Sequence, residues 1–221
     1  MIYRFPKASY IASMKSLKGL YLILTDPLVG YEQAAEAAVN AHVPFLQLRM
    51  KNTPPKIYLK QALSLRNITR GSQTTLIIND HLETAIEADA DGVHLGQQDS
   101  TIEEARQRWN APHKWIGLST HNLEQAQAAQ AAGADYIGIG PIYATQSKSN
   151  PDPVIGVAEG GRIAASVNCP SVAIGGIQIE KLATLRQHAF TAFCVLSALN
   201  KSSQSHRIIQ QLQQAWQDAE V

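Results

Sequence analysis

Cysteine is nearly absent from this chain of 221 residues: Cys169 and Cys194 are the two present, far apart in sequence. No CxxC pair and no histidine at ligand spacing accompanies them, which favours two reduced, buried thiols over a disulfide or a zinc site. Strong charge of one sign is missing as well. Nineteen Lys and Arg against eighteen Asp and Glu leave a formal net charge of +1, so neither an extended nucleic-acid groove nor a polybasic membrane patch is expected. Long apolar runs are also lacking, and no segment is long enough to span a bilayer. Residues 1–19 carry Arg4, Lys7, Lys15 and Lys18 without an acid, yet lack the apolar stretch of a secretory signal. Between a short transit-like peptide and a surface helix that closes the bottom of a barrel, the second reading is preferred. A cytoplasmic protein is expected, acting on small molecules, with no nucleic-acid or membrane partner and with a homo-oligomer left open.

What is present is alternation. Strand candidates fall at Leu20–Leu24, Pro44–Leu48, Thr75–Ile78, Gly92–Leu95, Trp115–Leu118, Tyr136–Ile139, Ser171–Ile174 and Thr191–Leu196. Amphipathic stretches separate them, among them Tyr31–Ala41, Pro54–Arg70, Asn122–Ala132 and Ser203–Trp216. Pro54 and Pro55 mark a helix start and Gly133 a helix stop. Repeated strand–helix units give a parallel sheet, since each helix carries the chain back to the same end. The competing open sheet would place a glycine-rich dinucleotide loop after its first strand. Thr25-Asp26-Pro27-Leu28 stands there instead, and the partial motif at Gly138 and Gly140 meets Tyr143 where a third glycine should fall. The expectation is an α/β fold: a single (β/α)₈ TIM barrel over residues 19–221, preceded by an N-terminal extension, residues 1–18, expected to be helical.

In such a barrel the active site lies at the C-terminal ends of the strands. Two successive strands end in carboxylates, Asp80 after Leu76–Asn79 and Asp99 after Gly92–Gln98. They are either helix N-caps or a pair whose mutual repulsion invites Mg²⁺, which takes one or two carboxylates plus substrate phosphates. The second strand delivers Gln47, Arg49 and Lys51. Arg49 and Lys51 are a solvated surface pair or, beside such a metal, counter-charge for a diphosphate. Ser119 and Thr120 either cap the next helix or contact a ligand. His121 is the strand-end histidine available to carry a proton, whereas His94 reads as a hydrogen-bonded interior residue and His81 as a residue that orients Asp80. The long loop 140–150, with Thr145, Ser147 and Lys148, suits a lid over phosphate. Gly175-Gly176 and Leu196-Ser197 end the last two strands, a recurrent phosphate position in barrels, although a Gly-Gly pair can be merely a tight turn.

Over roughly residues 19–200 the chain resembles the thiamine phosphate synthase family. The resemblance rests on Leu20–Asp26 (LYLILTD), Gln47–Lys51 (QLRMK), Leu76–Asp80 (LIIND), Asp91–Asp99 (DGVHLGQQD), Gly117–His121 (GLSTH), Gly133–Ile142 (GADYIGIGPI) and Ala173–Ile177 (AIGGI). It implies condensation of 4-amino-2-methyl-5-(hydroxymethyl)pyrimidine diphosphate with a thiazole phosphate, giving thiamine phosphate and diphosphate. It further implies Mg²⁺ at Asp80 and Asp99. Gln47–Lys51, Asn79, Ser119 and Lys148 would contact the pyrimidine substrate, with Arg49, Lys51, Ser119 and Lys148 as the catalytic set. Thr145, Ser147, Gly176, Leu196 and Ser197 would serve the thiazole phosphate. Met50, His81, Ala144 and Ser147 depart from the family pattern, where an acid, Arg, Pro and Thr are common, and the eighth strand lacks a glycine-rich lead-in. Two rival readings accompany this one: a thiazole tautomerase on the same barrel, with His121 moving protons, and a non-catalytic binder of thiamine precursors.

Overall fold

The computed structural model describes residues 17–145 and 152–219. The expected N-terminal extension lies almost wholly outside the described residues, as do Ser147 and Lys148. Eight parallel strands close into one barrel in sequence order. They are β1 (Gly19–Leu24), β2 (Phe45–Leu48), β3 (Thr75–Asn79), β4 (Gly92–Leu95), β5 (Trp115–Thr120), β6 (Tyr136–Ile139), β7 (Ser171–Ala173) and β8 (Ala192–Val195). The helices are α1 (Tyr31–Asn40), α2 (Pro55–Thr69), α3 (Leu82–Glu87), α4 (Ile102–Arg108), α5 (Leu123–Ala131), α6 (Val157–Ala165), α7 (Leu182–Arg186), α8 (Ser197–Asn200) and α9 (Ser205–Asp218). Pro54 and Pro55 open α2, and Gly133, at φ 87°, follows α5 as expected. The expected fifth strand is two residues short, because Ser119 and Thr120 continue the pairing with Gly138 and Ile139. The eighth strand ends earlier than expected, since Leu196 leaves it to start α8.

Every residue of β2, β4 and β6 is buried, because strand residues alternate between the barrel interior and the helix layer, and both sides are covered. The interior cluster holds Tyr21, Phe45, Ile77, Tyr136, Val172 and Cys194, with Leu17 beneath them. Small residues on β4 and β5 make room for the rings: a Cβ on Gly117 would lie 2.1 Å from the Tyr136 ring, and one on Gly92 would lie 2.4 Å from the Trp115 carbonyl. Full burial of an aromatic such as Phe45 contributes about 1.5–3 kcal/mol. Trp216 of α9 packs tilted against Phe193 at 4.8 Å between centroids and lies beside Gly19, covering the seam between β8 and β1.

The opposite end of the barrel is clamped by a device used twice. Arg66 of α2 reaches Asp91, whose carboxylate accepts from the Leu76 amide at 2.9 Å. Two units later Arg106 of α4 pairs with Asp135, whose carboxylate accepts from the Ile116 amide at 2.6 Å. Each acid thus ties a helix to the start of a neighbouring strand. With the bottom fixed in this way, the polar strand ends gather at the other face.

Candidate active site

Neither Asp80 nor Asp99 caps a helix. His81 occupies the N-cap of α3, and Thr101 caps α4 in a complete capping box. Asp80 leaves β3 in the left-handed region at φ 62°, its amide donating to the His94 carbonyl at 2.8 Å. A non-glycine residue in that conformation costs roughly 1–2 kcal/mol, so the turn is held by its surroundings. Asp99 accepts from the Gly96 amide at 2.7 Å. Partial loss of water raises its carboxyl above the ordinary value, the Gly96 amide pulls it back, and the nearby Asp80 carboxylate raises it again. Lys51 Nζ donates to Asp80 at 2.5 Å, a partly solvated pair, with Lys51 more than half exposed. Two mutually repelling carboxylates answered by one mobile lysine make an arrangement that a divalent cation would relieve. Among the described residues no group of three or more His, Cys, Asp or Glu side chains could hold a metal by itself.

Inside this rim lies a cavity of about 510 Å³, a size suited to a small organic ligand. Gln47 of β2, Arg49 just past its end, Asn79 of β3 and Ser119 of β5 line it. Thr145, Gly176, Leu196 and Ser197 line the other side. The structure therefore brings eight of the expected site residues around one space. Lys51, Asp80 and Asp99 are not among its lining residues and stand at the adjoining ends of β2, β3 and β4. Ser119 does not cap the following helix. Asn122 does so, accepting from the Gln125 amide at 2.9 Å, and Ser119 Oγ instead meets His94 Nε2 at 2.9 Å.

Beneath the cavity these groups are tied together, in part by two tyrosines that sequence reasoning missed. Gln47 Nε2 donates to the Tyr21 hydroxyl at 2.8 Å, and Tyr21 meets the Tyr136 hydroxyl at 2.9 Å. Tyr136 in turn meets His94 Nδ1 at 3.0 Å. His94 is thus the hydrogen-bonded interior residue expected of it. The tyrosines read in sequence as ordinary strand residues; their spacing within β1 and β6 carries no signal that the hydroxyls meet. His121 Nδ1 donates to the Gly140 carbonyl at 2.6 Å, and its Nε2 lies 3.4 Å from Asp152. His81 packs edge-on against Tyr58 at 5.0 Å, so its ring supports the turn around Asp80.

The β7–β8 side is built from backbone. Gly176 sits at φ 64°, and a Cβ there would lie 2.4 Å from the Ala144 carbonyl. Only glycine allows this turn and the β6 loop to approach so closely. The short α8 starts at Ser197, and the Asn200 side chain donates to the carbonyls of Ile23 and Leu196 at 2.7 Å while accepting from the Thr25 amide at 3.0 Å. Asn200 thereby pins the turn after β8 to β1, a role with no signal in its local sequence.

The thiamine monophosphate synthase family matches residues 20–199. The thiamine-phosphate synthase of Lawsonia intracellularis is 32% identical over 211 residues, covering 94% of this chain and 97% of that protein. Its counterpart from Halalkalibacterium halodurans is 38% identical over 164 residues, covering 74% and 77%. The solved thiamine phosphate pyrophosphorylase from Pyrococcus furiosus superposes with a TM-score of 0.83 at 30% identity, covering 93% of this chain and 98% of the other. The matched span runs from β1 to α8 and takes in both sides of the cavity, so the chain belongs to the thiamine monophosphate synthase family.

Proposed function

We propose that this protein is a thiamine phosphate synthase, a transferase that joins 4-amino-2-methyl-5-(hydroxymethyl)pyrimidine diphosphate to a thiazole phosphate and releases diphosphate. The observation that carries the reading is the pair Asp80 and Asp99, which cap no helix and share a rim with Lys51 beside the cavity. Asp80 and Asp99 would hold Mg²⁺, a hard cation suited to carboxylate oxygens. When bound, the ion neutralises diphosphate charge. Arg49, Lys51 and Lys148 would add positive charge on the same group, and Asn79, one residue from Asp80, would hold the substrate beside it.

The chemistry then asks little of the protein beyond positioning and electrostatics. The bond between the pyrimidine methylene and the diphosphate oxygen breaks, and its electron pair leaves with diphosphate. The ring amino group feeds electrons into the carbon left behind. The thiazole nitrogen attacks that carbon with its lone pair, forming the new C–N bond and the thiazolium cation. Gln47 and Ser119 orient the pyrimidine, while Thr145, Ser147, Gly176, Leu196 and Ser197 hold the thiazole phosphate on the opposite side. No protein nucleophile is needed.

The contact of His121 with Asp152 is the observation that favours the rival tautomerase reading, in which a histidine moves protons. A tautomerase has no diphosphate to expel, and the acids and cations of the β2–β4 rim would then lack a task. Lys148 and His121 separate the two. Loss of one charge-assisted contact to the leaving group costs about 2.7–4 kcal/mol, or about 10²–10³ in rate. Lys148→Ala should show a loss of that size in thiamine phosphate formation, and His121→Ala a much milder one. The reverse ranking means that proton transfer dominates, and equal small effects point to a non-catalytic binder.

A further inference from the structure

We infer that Tyr21, Tyr136 and His94 are positioning residues for the pyrimidine: they join Gln47 to Ser119 in one buried hydrogen-bonded chain that presents an acceptor from Gln47 and a donor from Ser119 to the cavity, selecting a 4-aminopyrimidine over its 4-oxo counterpart. The inference rests on the synthase reading and extends it to residues below the ligand.

Donor counting sets the direction of the chain. Tyr21 and Tyr136 are each about 1–2% exposed, and burial pushes both phenols far above their ordinary range, so each remains an O–H with a single proton to give. With Gln47 Nε2 donating to Tyr21, the Tyr21 proton goes to the Tyr136 oxygen. The Tyr136 proton then goes to His94 Nδ1. With Nδ1 as the acceptor, the ring proton sits on Nε2, which donates to Ser119 Oγ. The Ser119 proton is left to turn toward the cavity that Ser119 lines, and the Gln47 carbonyl oxygen is left at the other end. One end therefore accepts whenever the other donates.

A 4-aminopyrimidine offers the complement, an exocyclic N–H beside a ring nitrogen lone pair. The 4-oxo compound offers a carbonyl beside a ring N–H, and meets the chain with both polarities reversed. A buried site built to satisfy one set of hydrogen bonds rejects a ligand that leaves those groups unpaired. Packing does not account for the two hydroxyls, since phenylalanine would fill the same volume, at position 21 stacked on Phe45 at 5.8 Å and at position 136 edge-on to it at 6.0 Å. The groups also come from β1, β2, β4, β5 and β6, so the chain spans the floor of the cavity and is tied to its walls.

The test measures binding of the 4-amino and 4-oxo pyrimidine diphosphates without thiazole phosphate, in the wild type, Tyr136→Phe and Tyr21→Phe. It also reads the His94 tautomer by ¹⁵N NMR, with the signal assigned through His94→Gln. The wild type should prefer the amino compound and hold His94 protonated on Nε2. Each tyrosine variant should lose roughly tenfold or more of that preference, while its affinity for thiazole phosphate stays within about twofold. No preference in the wild type, an unchanged preference in a folded variant, or an Nδ1–H tautomer overturns the inference. Should Tyr136→Phe fail to fold, Tyr21→Phe and the tautomer decide. A wild type that binds as expected but forms no thiamine phosphate sinks the synthase reading and leaves the chain standing.

Discussion

The two sides of the cavity are made differently. From β2 to β5 the rim presents side chains that already hold hydrogen-bond partners: Lys51 with Asp80, Asp99 with the Gly96 backbone amide, Ser119 with His94. From β6 to β8 it presents turns and backbone, with Gly176 folded under the Ala144 carbonyl and α8 starting at Ser197. The first side suits a ligand with concentrated negative charge and a heterocycle with defined donors and acceptors. The second suits a group seated close against backbone, the position proposed for the thiazole phosphate. A two-substrate condensation needs both, and the difference teaches that side-chain chemistry and backbone shape can divide the recognition of two anions between them.

The comparison breaks most sharply at the acids. Asp80→Asn and Asp99→Asn keep the size and the tolerance for left-handed backbone, but halve the anionic charge of the pair. Each should lower diphosphate release by about 10²–10³ or more, and the Mg²⁺ concentration for half-maximal activity should rise. The melting temperature of the ligand-free protein should hardly move. Retention of full turnover by either variant, or indifference to EDTA, contradicts the metal assignment.

A smaller effect separates the two sides. Gly176→Val forces a β-branched residue to φ 64° with its Cβ 2.4 Å from a carbonyl, a strain of at least about 1–2 kcal/mol. The turn should shift and the KM for thiazole phosphate should rise roughly tenfold. Arg49→Ala should instead raise the KM for the diphosphate substrate. Steady-state kinetics with each substrate varied in turn checks the split, and a rise in the same KM for both variants would dissolve the partition.

The smallest effect on catalysis is expected at the far end of the barrel. Lys114 Nζ, almost wholly buried, donates to Asp89 Oδ1 and to the Ala90 carbonyl, both at 2.6 Å, and lies over the Trp109 ring at 5.4 Å. Lys114→Met leaves a buried carbonyl unpaired and should cost about 1–3 kcal/mol in stability without changing either KM. The hydrogen bond from Lys114 chiefly lowers the Asp89 carboxyl. A lowered folded value gives stability that is present above the unfolded value of about 3.8 and is lost as pH falls through the folded one. Urea unfolding between pH 5 and acid should therefore show a shallower acid loss in Lys114→Met than in the wild type.

Much of this was legible before any coordinates. The strands Gly92–Leu95 and Tyr136–Ile139 have the bounds expected from their apolar runs, and Asp80, Asp99, Arg49 and Gly176 stand at strand ends where loop chemistry belongs. Less legible were features that arise only when distant strands meet. Tyr21 and Tyr136 are separated by 115 positions, and Asn200 reaches back to Ile23. The four-residue α8 is too short to show a helical period. The N-cap question at Asp80 was settled by the left-handed turn, which hands the cap position to His81. Local pattern gives elements, whereas the partner of a polar group depends on register across the barrel.

The central claim, that the acid-bearing rim and the glycine-bearing rim act together in one condensation, is tested most directly by incubating the purified protein with the pyrimidine diphosphate, the thiazole phosphate and Mg²⁺. Diphosphate and thiamine phosphate should appear in equal amounts, depend on both substrates, and cease when EDTA is added. Binding of both substrates without release of diphosphate, or release unaffected by EDTA, would contradict the account.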